Sequence, residues 1–229
     1  MAKGLTPVDF FVHIIESPSP DDFLLKRTEG QILVHMLQLM NIPCGYFIAV
    51  NDEMFKKAVY EGLPAALESD SSIPIIHISA HGNADGIALT NGDIINWYDL
   101  TKILNPINNE YDNLLILCMS SCRGYAGCKM AITNDDVPFF AIIGHRDNPE
   151  WSDTALGFCT FYKNLSKGHS ISDSVNAMRA SVSDDRFSCE FGDDIKQGWL
   201  EYLHKKKKEK LQMATQNLIK KARRQGIIK

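Results

Sequence analysis

Apolar residues occur along this chain in short runs bounded by helix caps or turn formers, and the runs alternate with stretches of helical period. Val8 to Ile15 (VDFFVHII) has the aromatic and β-branched content of a strand and ends at the turn Glu16-Ser17-Pro18-Ser19-Pro20. Asp21 and Asp22 suit a helix N-terminus, with Leu25, Ile32, Met36 and Leu39 on one face of the helix they begin. Asn41-Ile42-Pro43 stops that helix, and Cys44 to Val50 (CGYFIAV) is a second strand. Asn51 or Asp52 caps a helix that Gly62 and Pro64 should end. After the polar stretch Ser69 to Ser72 comes a third apolar run, Ile73 to Gly82 (IPIIHISAHG). Asp85 to Trp97 (DGIALTNGDIINW) places Asn91-Gly92 between two short β-capable segments, which is a type I′ hairpin signal.

Tyr98 to Leu104 reads as a short helix ended by Asn105-Pro106. The next run, Asn113 to Gly124 (NLLILCMSSCRG), stops abruptly at Ser120-Ser121-Cys122-Arg123-Gly124, so Cys122 falls where a doubly buried strand ends. A glycine-containing connection leads from Gly124 to Asp136 into another buried strand, Val137 to Gly144 (VPFFAIIG), and then into a polar loop, His145 to Trp151. Ser152 or Asp153 starts a helix through Tyr162 and Leu165 to Gly168, and Ser170 starts another through Ala180. Asp184, Asp185, Glu190, Asp193 and Asp194 read as a solvated loop, with a calcium site lacking the EF-hand pattern as the alternative. From Ile195 onward Leu200, Leu203, Leu211, Ala214, Leu218 and Ala222 make a helical stripe that Gly226 should stop. Strands separated by helices predict an α/β fold with a three-layer, doubly wound, mostly parallel sheet over residues 1–194, followed by a basic C-terminal helix, 195–229.

The charge is uneven. Residues 205–229 hold ten Lys or Arg against Glu209 alone, a net +9 that leaves −13 on the rest of a chain whose total is −4. An acidic body favours basic substrates or partners, and the tail is a candidate contact for nucleic acid, an acidic partner or the body itself, or else a solvated helix face. No signal pattern stands at the start and no apolar stretch approaches a membrane span, so a cytoplasmic protein without membrane contact is expected. Six scattered cysteines, several inside apolar runs, point to reduced thiols. No Walker or dinucleotide glycine motif is present, and no cofactor or metal is expected.

Two of the predicted parallel strands end in reactive side chains, His81 on one and Cys122 just past the other. In open α/β sheets the crevice beyond the strands' carboxyl ends is the usual place for a site. A cysteine attacks as its thiolate, and a neighbouring histidine can take the proton and return it to the leaving group. Gly82 lets the backbone approach a substrate closely, and the N–H groups of Gly82 and Cys122 are candidates to bind an oxyanion.

His81-Gly82 after one apolar run and Ser121-Cys122-Arg123-Gly124 after another resemble the catalytic blocks of the caspase-like cysteine peptidases, which include caspases, metacaspases, separases and CHAT-domain proteins. The two residues stand 41 apart, near the roughly 50 of caspases. Ser120-Ser121 replaces the caspase Gln-Ala, which points to a bacterial-type relative. Asp85-Gly86-Ile87 with the Asn91-Gly92 hairpin, and Phe158 to Gly168 with Ser172 to Ala180, resemble the flanking CHAT blocks.

The resemblance implies a caspase-haemoglobinase-like sheet in which Cys122 attacks a peptide carbonyl and His81 is the general acid. Gly82 and Cys122 would form the oxyanion hole, and defence or programmed cell death would be the setting. It implies two alternatives for specificity: Arg27, joined by Arg146, binding an acidic residue before the scissile bond, or Asp153 binding Arg or Lys there. The basic residue is favoured. Control through a partner, a ligand or dimerisation at the C-terminal helix is expected, since residues 125–136 hold no processing site. Cys118 is the rival nucleophile, a zinc set of Cys118, Cys122, Cys128 and His145 the rival site, and a non-catalytic scaffold the rival function.

Overall fold

Alternation along the strands decides how the layers stack. In the computed structural model, which describes residues 10–66, 72–133 and 136–224 (apart from the side chains of 217, 218 and 220–224), the chain builds an α/β fold around a mixed, mostly parallel sheet. The strands are β1 (Phe10–Ser17), β2 (Cys44–Ile48), β3 (Ile73–Gly82), β4 (Gly86–Ala88), β5 (Ile94–Asn96), β6 (Ile116–Ser120), β7 (Ala141–His145) and β8 (Phe187–Phe191). The main path runs β2-β1-β3-β6-β7-β8, parallel except for β8, and β4 and β5 form a ribbon on the end of β3.

Even-numbered residues of β1 and odd-numbered residues of β3 face one helical layer. Val12, Ile14 and Ile75 pack there with Leu33 and Leu37 of α2 (Glu29–Leu39), Phe158 and Tyr162 of α7 (Trp151–Leu165) and Met178 of α8 (Ile171–Val182). Their neighbours Phe11, Ile15, Ile76 and Ile78 face the other layer, with Phe55 of α3 (Asp52–Lys57), Leu63 of α4 (Leu63–Ala66) and Leu100 and Leu104 of α5 (Trp97–Glu110). A sheet buried on both faces needs such continuous apolar strands. The connection from β1 to β2 runs over the first layer, and the one from β3 to β6 over the second. The two depart in opposite directions along the sheet, which makes the carboxyl ends of β1 and β3 the topological switch point.

Several boundaries differ from the sequence reading. The first helical stretch is split, with α1 (Pro20–Leu24) capped by Ser19 and a break at Lys26, whose φ is 54°, before α2. Asn51 caps α3 through Met54 N–H as expected, yet Gly62 and Pro64 do not end the helix. A π-turn over Ala58–Gly62 carries it into α4, where Pro64 sits at the second residue of a fresh turn and its missing N–H costs little. Pro106 does not stop α5 either: Trp97, Leu100, Leu104 and Ile107 are buried on both sides of it, and Asn108 accepts from Leu115 N–H and donates to Val137 O. That burial outweighs a proline penalty of ~3 kcal/mol. The hairpin is not type I′, because only Gly92, at φ 91°, has positive φ; the turn closes from Gly92 N–H to Leu89 O.

The acidic stretch expected to be a loop contains β8, an edge strand antiparallel to β7. Asp184 there binds Arg186 and His145, and Glu190 accepts from Tyr125. Among the described residues no three acidic, cysteine or histidine side chains are grouped to hold a metal ion. Between β6 and β7 lie a 3-10 helix (Gly124–Lys129) and α6 (Met130–Thr133). The last element, α9 (Gly192–Arg224), leaves Leu200, Leu203 and Leu211 exposed, so the described part of its apolar stripe is not packed on the sheet, and the side chains of Leu218 and Ala222 lie outside the described residues. Gly226, expected to stop it, lies outside the described residues, as do Val8 and Ser69 to Asp70. No helix among the described residues is long and apolar enough to cross a membrane.

Candidate active site

β3 and β6 are hydrogen-bonded neighbours whose last registered pair is Ser79 with Ser120. His81 and Cys122 stand two residues beyond those serines, so adjacent strands deliver imidazole and thiol to one rim. Both line a narrow crevice with Ser121, Pro149, Trp151 and Thr154. It encloses only about 10 Å³.

The backbone turns sharply after the thiol. Arg123 adopts φ 55°, the left-handed region that costs a non-glycine residue free energy. That turn is held by Arg123 N–H donating to Asp147 O at 2.8 Å and Gly124 N–H donating to Ser121 O at 3.0 Å. Gly82 is required by close approach: a Cβ there would lie 2.8 Å from the Cys122 carbonyl oxygen and 3.1 Å from Ser121 Cβ.

His81 is exposed, and its ring meets Trp151 edge to face with centroids 5.7 Å apart. Burial, reinforced by the Asp147 carboxylate, raises the Cys122 thiol above its ordinary pKa. The resting sulfur is therefore protonated near neutral pH, and a base must take the proton before it attacks. Cys118 is wholly buried in β6, and burial drives its thiol much further up, which leaves it inert.

The expected specificity residues are dispersed. Arg27 lines a groove of about 620 Å³ next to the crevice, between α1, α2 and the start of α7, with Trp151 shared by the two. Its guanidinium is already held by Asp22, at 2.8 and 2.9 Å. The Ser19 hydroxyl and then Arg27 hold the Asp22 carboxyl below its usual range, and His81 adds to the effect. Arg146 is elsewhere, bonded to Ser188 Oγ at 2.7 Å and stacked over Tyr125, lining neither crevice nor groove. Asp153 lines neither, and it is not the cap of α7, which is Glu150. His145 bonds Asp184 through Nε2 and accepts Asp147 N–H at Nδ1, so it belongs to no zinc set.

Three residues absent from the sequence-based site stand in or under it: Asp147, whose charge reaches Cys122; Trp151, against His81; and Glu29, buried beneath both strands. Asp147 belongs to the loop after β7 and Trp151 to the start of α7 that follows it, which reach the same rim as Cys122, and that parallel topology was the available signal. The chain matches no protein-family model, and no curated protein is significantly similar to it.

Proposed function

We propose that this protein is a cysteine endopeptidase with a caspase-haemoglobinase-like sheet, in which His81 and Cys122 form the catalytic dyad. The observation that carries the reading is their meeting in one crevice, on neighbouring parallel strands beside the switch point, with Gly82 closed against the Cys122 carbonyl. His81 draws the proton from the raised thiol as the sulfur attacks the peptide carbonyl. It then returns that proton to the leaving amine, and water releases the acyl group from Cys122. In this reading the N–H groups of Gly82 and Cys122 receive the developing oxyanion.

Cleavage after Arg or Lys remains the favoured specificity, with different residues supporting it. Arg27 is held tightly by Asp22 at 2.8 Å, whereas Asp147, an acid beside the nucleophile with its side chain 53% exposed, has only a longer pairing of 3.4 Å with Arg186. The test is hydrolysis of matched peptide reporters ending in Arg, Lys or Asp by wild-type protein and Cys122→Ala. Cleavage lost in Cys122→Ala and greatest for Arg or Lys is expected. Turnover that survives Cys122→Ala overturns the nucleophile, and preference for Asp overturns the specificity.

A further inference from the structure

Two hydroxyls, one from each strand that carries a dyad residue, converge on a single carboxylate oxygen. Ser79 and Ser120 both donate to Glu29 Oε2, each at 2.6 Å. They form the last rung of the β3–β6 ladder; beyond it His81 pairs with Ala88 of β4 instead, and β6 has ended. The registered ladder therefore ends at this rung, short of His81 and Cys122, and beyond it the close packing of Gly82 on the Cys122 carbonyl is what holds the two chain segments together.

Glu29 is the first residue of α2 and is 3% exposed. A helix N-terminus favours a carboxylate, but burying one is costly unless it is hydrogen-bonded. The nearest cationic candidate, His77, is 4.0 Å away at Nε2, and its Nδ1 is engaged with Tyr162, so the serines are the close partners of Oε2. The neighbouring carboxyl, Glu16 on β1, is raised by burial and has Tyr46 as its own donor. A site that needed only filling would take an apolar side chain at less cost.

We propose that Glu29 is a positioning residue that ties β3 to β6 at their last rung and so fixes the distance between His81 and Cys122. The proposal rests on the dyad reading. Two short bonds converging on one carboxyl oxygen leave little room for the strands to slide apart, and small misplacements of reacting groups are expensive in rate.

The experiment is alkylation of Cys122 by iodoacetamide near neutral pH in the full chain, read at that residue by mass spectrometry and needing no substrate. It is run on wild type, Ser79→Ala, Ser120→Ala, the double serine variant, Glu29→Ala and Glu29→Gln, each with and without His81→Ala. The acceleration due to His81 should fall about threefold with one serine removed and about tenfold or more with both, or with Glu29→Ala. Glu29→Gln should restore it to within about threefold, because an amide oxygen can accept the same two hydroxyls.

The serine variants remove one hydroxyl each and stand in for Glu29→Ala if that chain does not fold. Unchanged His81-dependent rates in the serine variants overturn the proposal, as does an equal loss with and without His81, which marks general loosening. Peptide hydrolysis separates the two readings. A Glu29-dependent dyad that cleaves no reporter sinks the peptidase and keeps the positioning role. Cleavage unchanged in the double serine variant keeps the peptidase and sinks Glu29. A wild-type rate indifferent to His81→Ala sinks both.

Discussion

Gly82 and Cys122 are close enough that a single added carbon would force them apart. A Cβ on Gly82 would approach the Cys122 carbonyl oxygen to 2.8 Å, and a backbone atom in a tight turn cannot swing away as a side chain does. Gly82→Ala should therefore cost about 1–3 kcal/mol of stability and displace the N–H groups proposed to receive the oxyanion. Urea unfolding and peptide turnover check this together. A variant with wild-type stability and wild-type kcat would show that the contact is slack.

Trp151 braces the His81 ring from the start of α7. Trp151→Ala should slow Cys122 alkylation about tenfold, by freeing the imidazole from its productive orientation, and Trp151→Phe should recover most of that loss. Equal rates for the alanine and phenylalanine variants would mean that the ring contact does not orient His81.

Asp147 opposes ionisation of the thiol, second only to burial. Asp147→Asn keeps the main-chain carbonyl that holds Arg123 while removing the charge. Cys122 should then react faster with iodoacetamide near neutral pH, and reporters ending in Arg or Lys should lose turnover relative to uncharged ones. The opposite signs of the two effects separate this charge from a general disturbance of the loop.

Acid should destabilise the fold through His13 on β1. Burial lowers its pKa from 6.5 to about 4, partly offset by its bond of 2.8 Å to Ala58 O. Below pH 6.5 the unfolded chain gains a proton that the folded chain refuses, so stability is lost as pH falls from 6.5 towards 4. The full effect is about 3 kcal/mol. Urea midpoints measured between about pH 7 and pH 4 should fall, and His13→Phe should flatten the slope. A slope that His13→Phe leaves unchanged assigns the acid sensitivity to other groups.

The central strands were legible because burial on both faces leaves an unbroken apolar run. Ile73 to Gly82 is β3 to the residue, and the run from Asn113 contains β6. β8 was not, because this edge strand interleaves Ser188 and Glu190, which bind Arg146 and Tyr125, with Phe187, Cys189 and Phe191, and so breaks the apolar run. Pro106 misled for a different reason: the apolar stripe of α5 continues past it, and tertiary burial overrides local propensity.

At the site, His81 and Cys122 could be paired from their positions at two strand ends. Asp153 and Arg146 could not be placed, because residues in a loop or first turn carry no periodic signal of where they point. Glu29 was hidden by its helix, where an acidic first residue looks like ordinary dipole matching.

The long α9 begins where β8 has returned antiparallel along β7, with Phe191 opposite Ala141. Ala141 opens β7, so the root of the helix lies at the amino end of the parallel strands, whereas Cys122 and His81 occupy the carboxyl end. Its 33 residues make a rod of about 50 Å. Force or a fusion applied at the root of that helix therefore enters the sheet at the end away from the crevice of His81 and Cys122.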